Sequence, residues 1–470
     1  MKLYKFIVLI TAMLPFTVLH SQTSATATDV LLGDALSSII RDYNYDATIA
    51  CYNLSNGITC FAYNSPNLQT KQVHLKGYYV NDFVISNDTV FFCGKTNRLV
   101  NDKGIIGFFD INDVFNNSGD FFVQDDFIIY HVQEEDEYAA EFYHLIAYLN
   151  SFGQRHIVCV GEGTKDHGCV VESIFNDYGV PPAFWSYFAG ITEDKTIESF
   201  YDIMLYNDYV VTAGFYHNEN MQLSLRVYNS DFVFDTYGPL NDRHTYDIQS
   251  AISGYSWAHD SVLLAYETNE TFTTFTTLKV QSNTNPSRLH LASFNLSNLL
   301  ANNNTGMIWS AELYNGFLTN YNRVDNIVID SAQRKCLIMY NWDVPQVPFS
   351  NTSAFCELDY PLPYTTGTLP EFYFDGITLQ GLTRYTAPAK YVMNGFFNST
   401  PLNVFYSLET PGHLSGCADS SSIYHNDIRI ILSTDREKKF ITLLGLGNFH
   451  KEPQSNTAHT TIEIQCENNQ

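Results

Sequence analysis

Phe83-Val84-Ile85-Ser86-Asn87-Asp88-Thr89-Val90-Phe91-Phe92-Cys93-Gly94 reads as an apolar strand, a tight Asn-Asp turn and a second apolar strand ending at glycine. The unit returns as Ile203-Met204-Leu205-Tyr206-Asn207-Asp208-Tyr209-Val210-Val211-Thr212-Ala213-Gly214. Looser copies turn near Gly153, Asp260, Gln333, Pro388 and Asp435. Successive turns stand roughly 50 to 70 residues apart, the period of an array whose units bury their apolar faces against one another.

A third strand follows each pair, at Ile105 to Ile111, Cys169 to Phe175, Gln222 to Tyr228, Arg288 to Phe294, Ala354 to Tyr360, Leu402 to Leu408 and Thr461 to Cys466. A fourth is visible at Asp120 to Val123, Asp231 to Tyr237 and Met307 to Leu313. Four antiparallel strands per unit make the blade of a β-propeller. The expected fold is therefore all-β, a seven-bladed propeller of four-stranded antiparallel sheets, with six or eight blades as alternatives. The last unit runs out of chain after its third strand, while spare strands stand at Ala47 to Asn53, Ile58 to Tyr63 and Gln72 to Leu75. These N-terminal strands are expected to close the ring, which removes exposed sheet edges. Residues 1–21 read as a signal peptide, 22–46 as an N-terminal segment with a short amphipathic helix over Asp29 to Arg41, and 47–470 as one propeller domain.

The strand-Asp-strand unit resembles the broad superfamily of secreted and extracytoplasmic propeller repeats, over most of residues 75 to 450. Signatures that would carry a function are missing: there is no Trp-Asp repeat, kelch Gly-Gly pair, sialidase box or quinoprotein Trp series. The resemblance implies a fold and no active site.

Met1 to Ser21 has two lysines, an apolar run from Phe6 to Leu19 and small or polar residues up to Ser21-Gln22, the pattern of a secretory leader. The protein is expected to be exported, to the periplasm, cell surface or medium, and no later run is long enough for an integral membrane segment. Twenty-five basic against 50 acidic residues give a net charge of -25, which repels nucleic acid and anionic membranes.

Nine cysteines in an exported chain suggest disulfides, with at least one thiol left over. Cys51 and Cys60 flank a hairpin turn, and Cys159 with Cys169 and Cys336 with Cys356 fall on neighbouring strands, so these three pairs are the candidates. Cys93, Cys417 and Cys466 remain unassigned. A metal site on cysteine lacks any Cys-x-x-Cys pair.

Innermost strands of several units begin with a carboxylate: Asp82, Asp202 and Asp427, with Asp247 and Asp325 less well in register, and His144 in the matching place of the second unit. A ring of carboxylates at the channel mouth can hold calcium. The alternative is that each Asp accepts backbone N–H bonds at its strand entrance. On the face where second-to-third-strand loops meet inter-blade loops stand Glu162, Asp166, His167, His217, Glu219, Asp242, Arg243 and His244. Paired carboxylates there would suit glycoside hydrolysis, and His217 with Asp242, Arg243 and His244 a polysaccharide lyase. Among the tryptophans, Trp342 is the one on that face that would stack on a sugar. Asp110-Ile-Asn112-Asp113 departs from a calcium loop, since its sixth position is Phe115. Thr89, Ser261 and Ser331, each after an Asp at the expected repeat turn, fit an O-glycosylation consensus, and eight Asn-x-Ser/Thr sequons run from Asn53 to Asn398.

No nucleophile, base and orienting group form a recognisable set. The expected function is that of an exported monomeric binding or scaffold propeller recognising a glycan or an extracytoplasmic protein on its loop face. A polysaccharide lyase or glycoside hydrolase is the first alternative, and a structural assembly module the second.

Overall fold

The computed structural model describes residues 23–27, 34–44, 47–64, 70–97, 103–116, 128–131, 133–134, 137–163, 168–175, 183–188, 197–217, 221–231, 243–246, 255–268, 270–280, 288–301, 306–313, 320–330, 332–343, 352–359, 371–374, 377–384, 390–397, 400–407, 439–441 and 460–464. Among them the strands fall into seven sheets of four or five strands. The lead strands, in chain order, are Ala35–Asn44, Tyr78–Ser86, Glu137–Leu149, Ile197–Tyr206, Tyr255–Tyr266, Asn320–Asp330 and Ile377–Arg384. Each lead strand packs against the next, and Ile377–Arg384 packs against Ala35–Asn44. Pairing within the sheets is antiparallel except for a parallel contact between Glu371–Phe374 and Lys439–Ile441.

Each sheet is sandwiched between neighbours, so its strands are apolar on both faces. Ala47–Leu54 is buried at every position. One face of the first sheet, with Cys51, Phe61 and Val73, packs on Phe83, Phe92 and Phe109 of the second. Its other face, with Tyr52, Cys60 and Ala62, packs on Val392 of the seventh. Phe91, Cys93 and Ile106 join the second sheet to Phe142, Cys159 and Val171 of the third. Large aromatics fill the wedges: the Phe61 ring lies 5.0 Å from Phe109 and 5.9 Å from Phe83, edge to face in both cases.

The Asn-Asp turn has a local cause. Asn87 and Asp88 have φ of 49° and 60°, and Asn207 has φ of 55°, values these residue types tolerate. Beyond the turns, several expectations are corrected. Asp29 to Arg41 was expected to be helical, but Ala35–Asn44 is a strand. A register slip between Ala35 and Ser37 breaks its alternation, so the apolar residues imitate helical spacing. The segments Ala47–Leu54, Ile58–Asn64 and Thr70–Lys76 do not complete the last sheet but form the first sheet with that strand. The N-terminal strand in the last sheet is Thr23–Ala27, paired with Thr400–Ser407 on one side and Thr460–Ile464 on the other.

Asp260 is not at a turn; it lies inside Tyr255–Tyr266, and that hairpin reverses after Tyr266. Ser261 therefore lacks the turn position of Thr89, while Ser331 and the turn at Asp435 fall outside the described residues. The fourth strand of the second sheet is Ile128–His131 and that of the fourth is Arg243–Tyr246. Residues 120–123 and 232–237, where those strands were expected, also lie outside the described residues.

The disulfide expectation fails most clearly for Cys51 and Cys60. Cys51 stands opposite Phe61 and Cys60 opposite Tyr52, so the two side chains leave opposite faces of the sheet. Cys51, Cys60, Cys93, Cys159, Cys169 and Cys336 are all buried, and none of them is in a disulfide. Cys159 and Cys169 share one apolar cluster without bonding. Cys336 stands opposite Leu358 and Cys356 opposite Ile338, so the two expected partners are two rungs apart. Asn53, in the first sequon, is 5% exposed and donates to Val80 O at 2.6 Å, so it cannot carry a glycan in the folded chain. Asp110 accepts from Asn112 and Asp113 N–H at 2.8 and 3.2 Å, capping the helix Ile111–Asn116.

Candidate functional site

Five lead strands carry the same irregularity. The register slips by one residue between Val80 and Asp82, Phe142 and His144, Phe200 and Asp202, Val324 and Asn326, and Leu379 and Gly381. A bulge leaves its extra residue unpaired and re-aims its side chain. Here the extra residues are Asn81, Tyr143, Tyr201, Asp325 and Gln380, and all five line one cavity of about 320 Å³. The bulges also explain the recurring glycine. A Cβ on Gly94 would sit 1.9 Å from Tyr79 O, and one on Gly214 1.8 Å from Ser199 O. The cavity lies beside the middle of the lead strands.

At Asp82 and Asp202 the residue after the bulge ties one sheet to the next, and at Gln380 the bulge residue itself does so. Asp82 Oδ1 accepts from Phe83 N–H at 2.8 Å and from Arg41 at 2.5 Å, while Oδ2 accepts from Leu145 N–H of the third sheet at 3.2 Å. Asp202 repeats the pattern, accepting from Ile203 N–H at 2.8 Å and from Leu264 N–H of the fifth sheet at 2.6 Å. Gln380 accepts from Ser38 N–H at 2.7 Å, joining the seventh sheet to the first. His144 sits between the two carboxylates, with Nδ1 3.3 Å from Asp82 Oδ2 and 3.7 Å from Asp202 Oδ1.

These contacts set the charges. Burial disfavours the charged form of Asp82, but Arg41, His144 and the Leu145 N–H outweigh it and hold the carboxyl below its usual range. Burial pushes Asp202 upward despite His144 and two backbone N–H groups. Burial also opposes protonation of His144, yet Asp202 and Asp82 raise its pKa above 6.5. Asp82 and Asp202 are thus engaged by Arg41, His144 and backbone. Among the described residues no group of three or more His, Cys, Asp and Glu side chains is placed to hold a metal ion. Asp247 and Asp427, the other ring members, lie outside the described residues, while Asp325 lines the cavity.

One wall combines apolar rings with hydrogen-bonding groups. Tyr143 and Tyr201 stack with ring centres 5.6 Å apart and planes within 10°. The Tyr143 hydroxyl donates to Glu162 at 2.6 Å. Beside them Glu141 accepts from Lys95 at 2.8 Å and from Asn81 at 2.6 Å.

Of the loop-face candidates, Glu162 holds the hydroxyl of Tyr143, a residue of the cavity wall, without itself lining the cavity. Asp166, His167, Glu219 and Asp242 lie outside the described residues. His217 ends its strand opposite Ile197 and Met221, whereas Arg243 and His244 stand on the outermost strand opposite Arg226 and Leu225, several rungs away. Trp342 is in the second strand of the sixth sheet, opposite Tyr321 and Thr352. Tyr143, Tyr201, Asn81 and Gln380 escaped the sequence reading, although the first three immediately precede the ring positions His144, Asp202 and Asp82, and aligning the repeats one residue upstream shows those three.

No family model matches the chain, and no curated protein matches it. Among solved structures, an ulvan lyase, of a polysaccharide lyase family, superposes with a TM-score of 0.48 and 9% identity over 82% of this chain and 94% of its own. The β-propeller domain of the Trilobed protease from Pyrococcus furiosus gives 0.40 and 7%, over 78% and 95%. Drosophila semaphorin 2a gives 0.47 and 8%, over 83% and 77%. At TM-scores below 0.5 these likenesses carry no argument; it is the succession of antiparallel sheets, each lead strand packed on the next, that makes the fold a β-propeller, and the sheets are blades from here on. Among the described residues no helix is long and apolar enough to cross a membrane.

Proposed function

We propose that the chain is an exported, monomeric, seven-bladed propeller, its ring closed through Thr23–Ala27, that binds a glycan at the loop-face end of its axial cavity. The observation that carries this reading is the wall of the cavity. Two parallel tyrosine rings, Tyr143 and Tyr201, stand among amide, carboxylate and imidazole groups from several blades. Sugars present both apolar C–H faces and hydroxyls, and a pocket that binds them needs aromatic surface beside fixed donors and acceptors. Export is supported by the leader-like sequence from Met1 to Ser21. A lyase or hydrolase built on His217, Asp242, Arg243 and His244 has less behind it, because the strand register separates His217 from Arg243 and His244.

The test is a polysaccharide array probed with the purified mature protein, each hit then being incubated and analysed for new reducing or unsaturated ends. Binding without cleavage is expected. Cleavage would restore the lyase or hydrolase reading, and the absence of any bound glycan would turn the search to an extracytoplasmic protein partner.

A further inference from the structure

We infer that the axial cavity is a subsite for one terminal, uncharged sugar ring of the bound glycan. This inference rests on the glycan-binding reading and deepens it.

The first argument is enclosure. The lining includes residues from the lead strand of every blade, from Ser37 of the first to Gln380 of the seventh. An internal stretch of a polymer needs an entrance and an exit on opposite walls. Here the walls are strands hydrogen-bonded within their blades and stapled between them at Asp82, Asp202 and Gln380. A chain can therefore enter along the axis only by its end. At about 320 Å³ the cavity stands at the low end of the range for ligand pockets, about 300 to 1,000 Å³, so its occupant is small.

The second argument is charge. The carboxylates of Asp82, Glu141 and Asp325 line the cavity, and Asp202 lies against His144. Opposing them, Arg41 is engaged by Asp82 and the Phe83 carbonyl, Lys95 by Glu141, and His144 by two aspartates. A uronate or sulfated ring would bring a further negative charge to carboxylates whose cations are already committed, in a chain of net charge -25. A neutral ring meets no such cost and can lie along the apolar surface of Tyr143 and Tyr201.

The test uses the full mature chain and saturation-transfer NMR with linear gluco-, manno-, xylo- and galacto-hexasaccharides, and with hexagalacturonate as the anionic probe. The expected result is saturation concentrated on one terminal ring of a neutral hexasaccharide, competition by its own monosaccharide, and at least tenfold weaker binding of hexagalacturonate. Tyr201→Ala is expected to lose at least tenfold in affinity while Tyr201→Phe stays within threefold, with circular dichroism checking that both fold. Saturation spread over internal rings, hexagalacturonate binding as tightly as the neutral probe, or an unaffected Tyr201→Ala would each overturn the terminal-ring subsite and leave glycan binding standing. Failure of every glycan, here and on the array, would remove the glycan reading and the subsite together. The ligand-side measurements need no variant, so a misfolded Tyr201→Ala does not protect the inference.

Discussion

His144 of the third blade places Nδ1 3.3 Å from Asp82 Oδ2 of the second, and the same nitrogen lies 3.7 Å from Asp202 of the fourth. Three blades thus share one charge cluster at the axis. Asp82 receives the most contacts, from Arg41, Phe83 N–H, Leu145 N–H and His144.

Removing that carboxylate should therefore cost stability rather than only a ligand contact. Asp82→Ala leaves Arg41 and the Leu145 N–H without their acceptor, and is expected to cost about 3 kcal/mol. Urea unfolding of wild type and variant measures it, and a loss below about 1 kcal/mol would show the inter-blade contacts to be incidental.

The cluster also gives a pH dependence. The folded-state pKa of His144 is raised above 6.5, so its contribution is complete below the unfolded value and is lost as pH rises through the folded one. Asp82 behaves oppositely: its folded pKa is lowered, so its contribution holds above the unfolded value and disappears as pH falls through the folded one. The stability difference between wild type and His144→Gln is expected to be largest in mildly acidic solution and to shrink in alkali. A difference that grows with pH would reverse the assignment.

Gly94 and Gly77 separate close approach from backbone conformation. At Gly94 an added methyl meets the Tyr79 carbonyl at 1.9 Å, and Gly94→Ala is expected to cost about 2 to 3 kcal/mol. Gly77 has φ of 89° with open space around it, so Gly77→Ala carries the conformational cost alone, about 1 kcal/mol. Equal melting temperatures for the two variants would contradict this.

A chain starting at residue 34 lacks the strand Thr23–Ala27 and leaves Thr400–Ser407 paired on one edge only, with Lys390–Phe397. Its melting temperature is expected to fall by at least about 5 °C. A truncation as stable as the full mature chain would exclude closure through that strand.

Buried thiols should be silent until the fold opens. Burial raises the Cys51, Cys60 and Cys93 thiols well above their ordinary pKa, and the nearby Cys159 adds to the effect at Cys93. A thiol reagent is expected to label none of the six buried cysteines in native protein and all six after denaturation. A peptide map with Cys51 linked to Cys60 would refute the opposite-face register.

The repeat was legible because its cause is local: Asn87-Asp88 and Asn207-Asp208 form tight turns by their own φ preferences, and Gly94 and Gly214 answer one-residue bulges in the paired lead strand. Asp82, His144 and Asp202 could be aligned for the same reason, with Asp325 one residue out of register; Asp82, His144 and Asp325 line the cavity while Asp202 adjoins it through His144. The first blade was not legible, since a slip near Leu36 made Ala35–Asn44 look helical and left Ala47–Leu54 without a partner. Asp260 misled because an Asp followed by apolar residues suits a turn as well as the irregular stretch of strand between Trp257 and Val262.

By itself the sequence determined an all-β chain of repeated strand-turn-strand units with a strongly acidic balance. Only the tertiary structure decided which strand joins the last blade, which faces Cys51 and Cys60 leave by, and that Tyr143 and Tyr201 meet at 5.6 Å across two blades. The physical reason is range. Turns and strand propensity depend on neighbouring residues, whereas register, bulge placement and the convergence of side chains on an axis depend on how separate blades pack against one another.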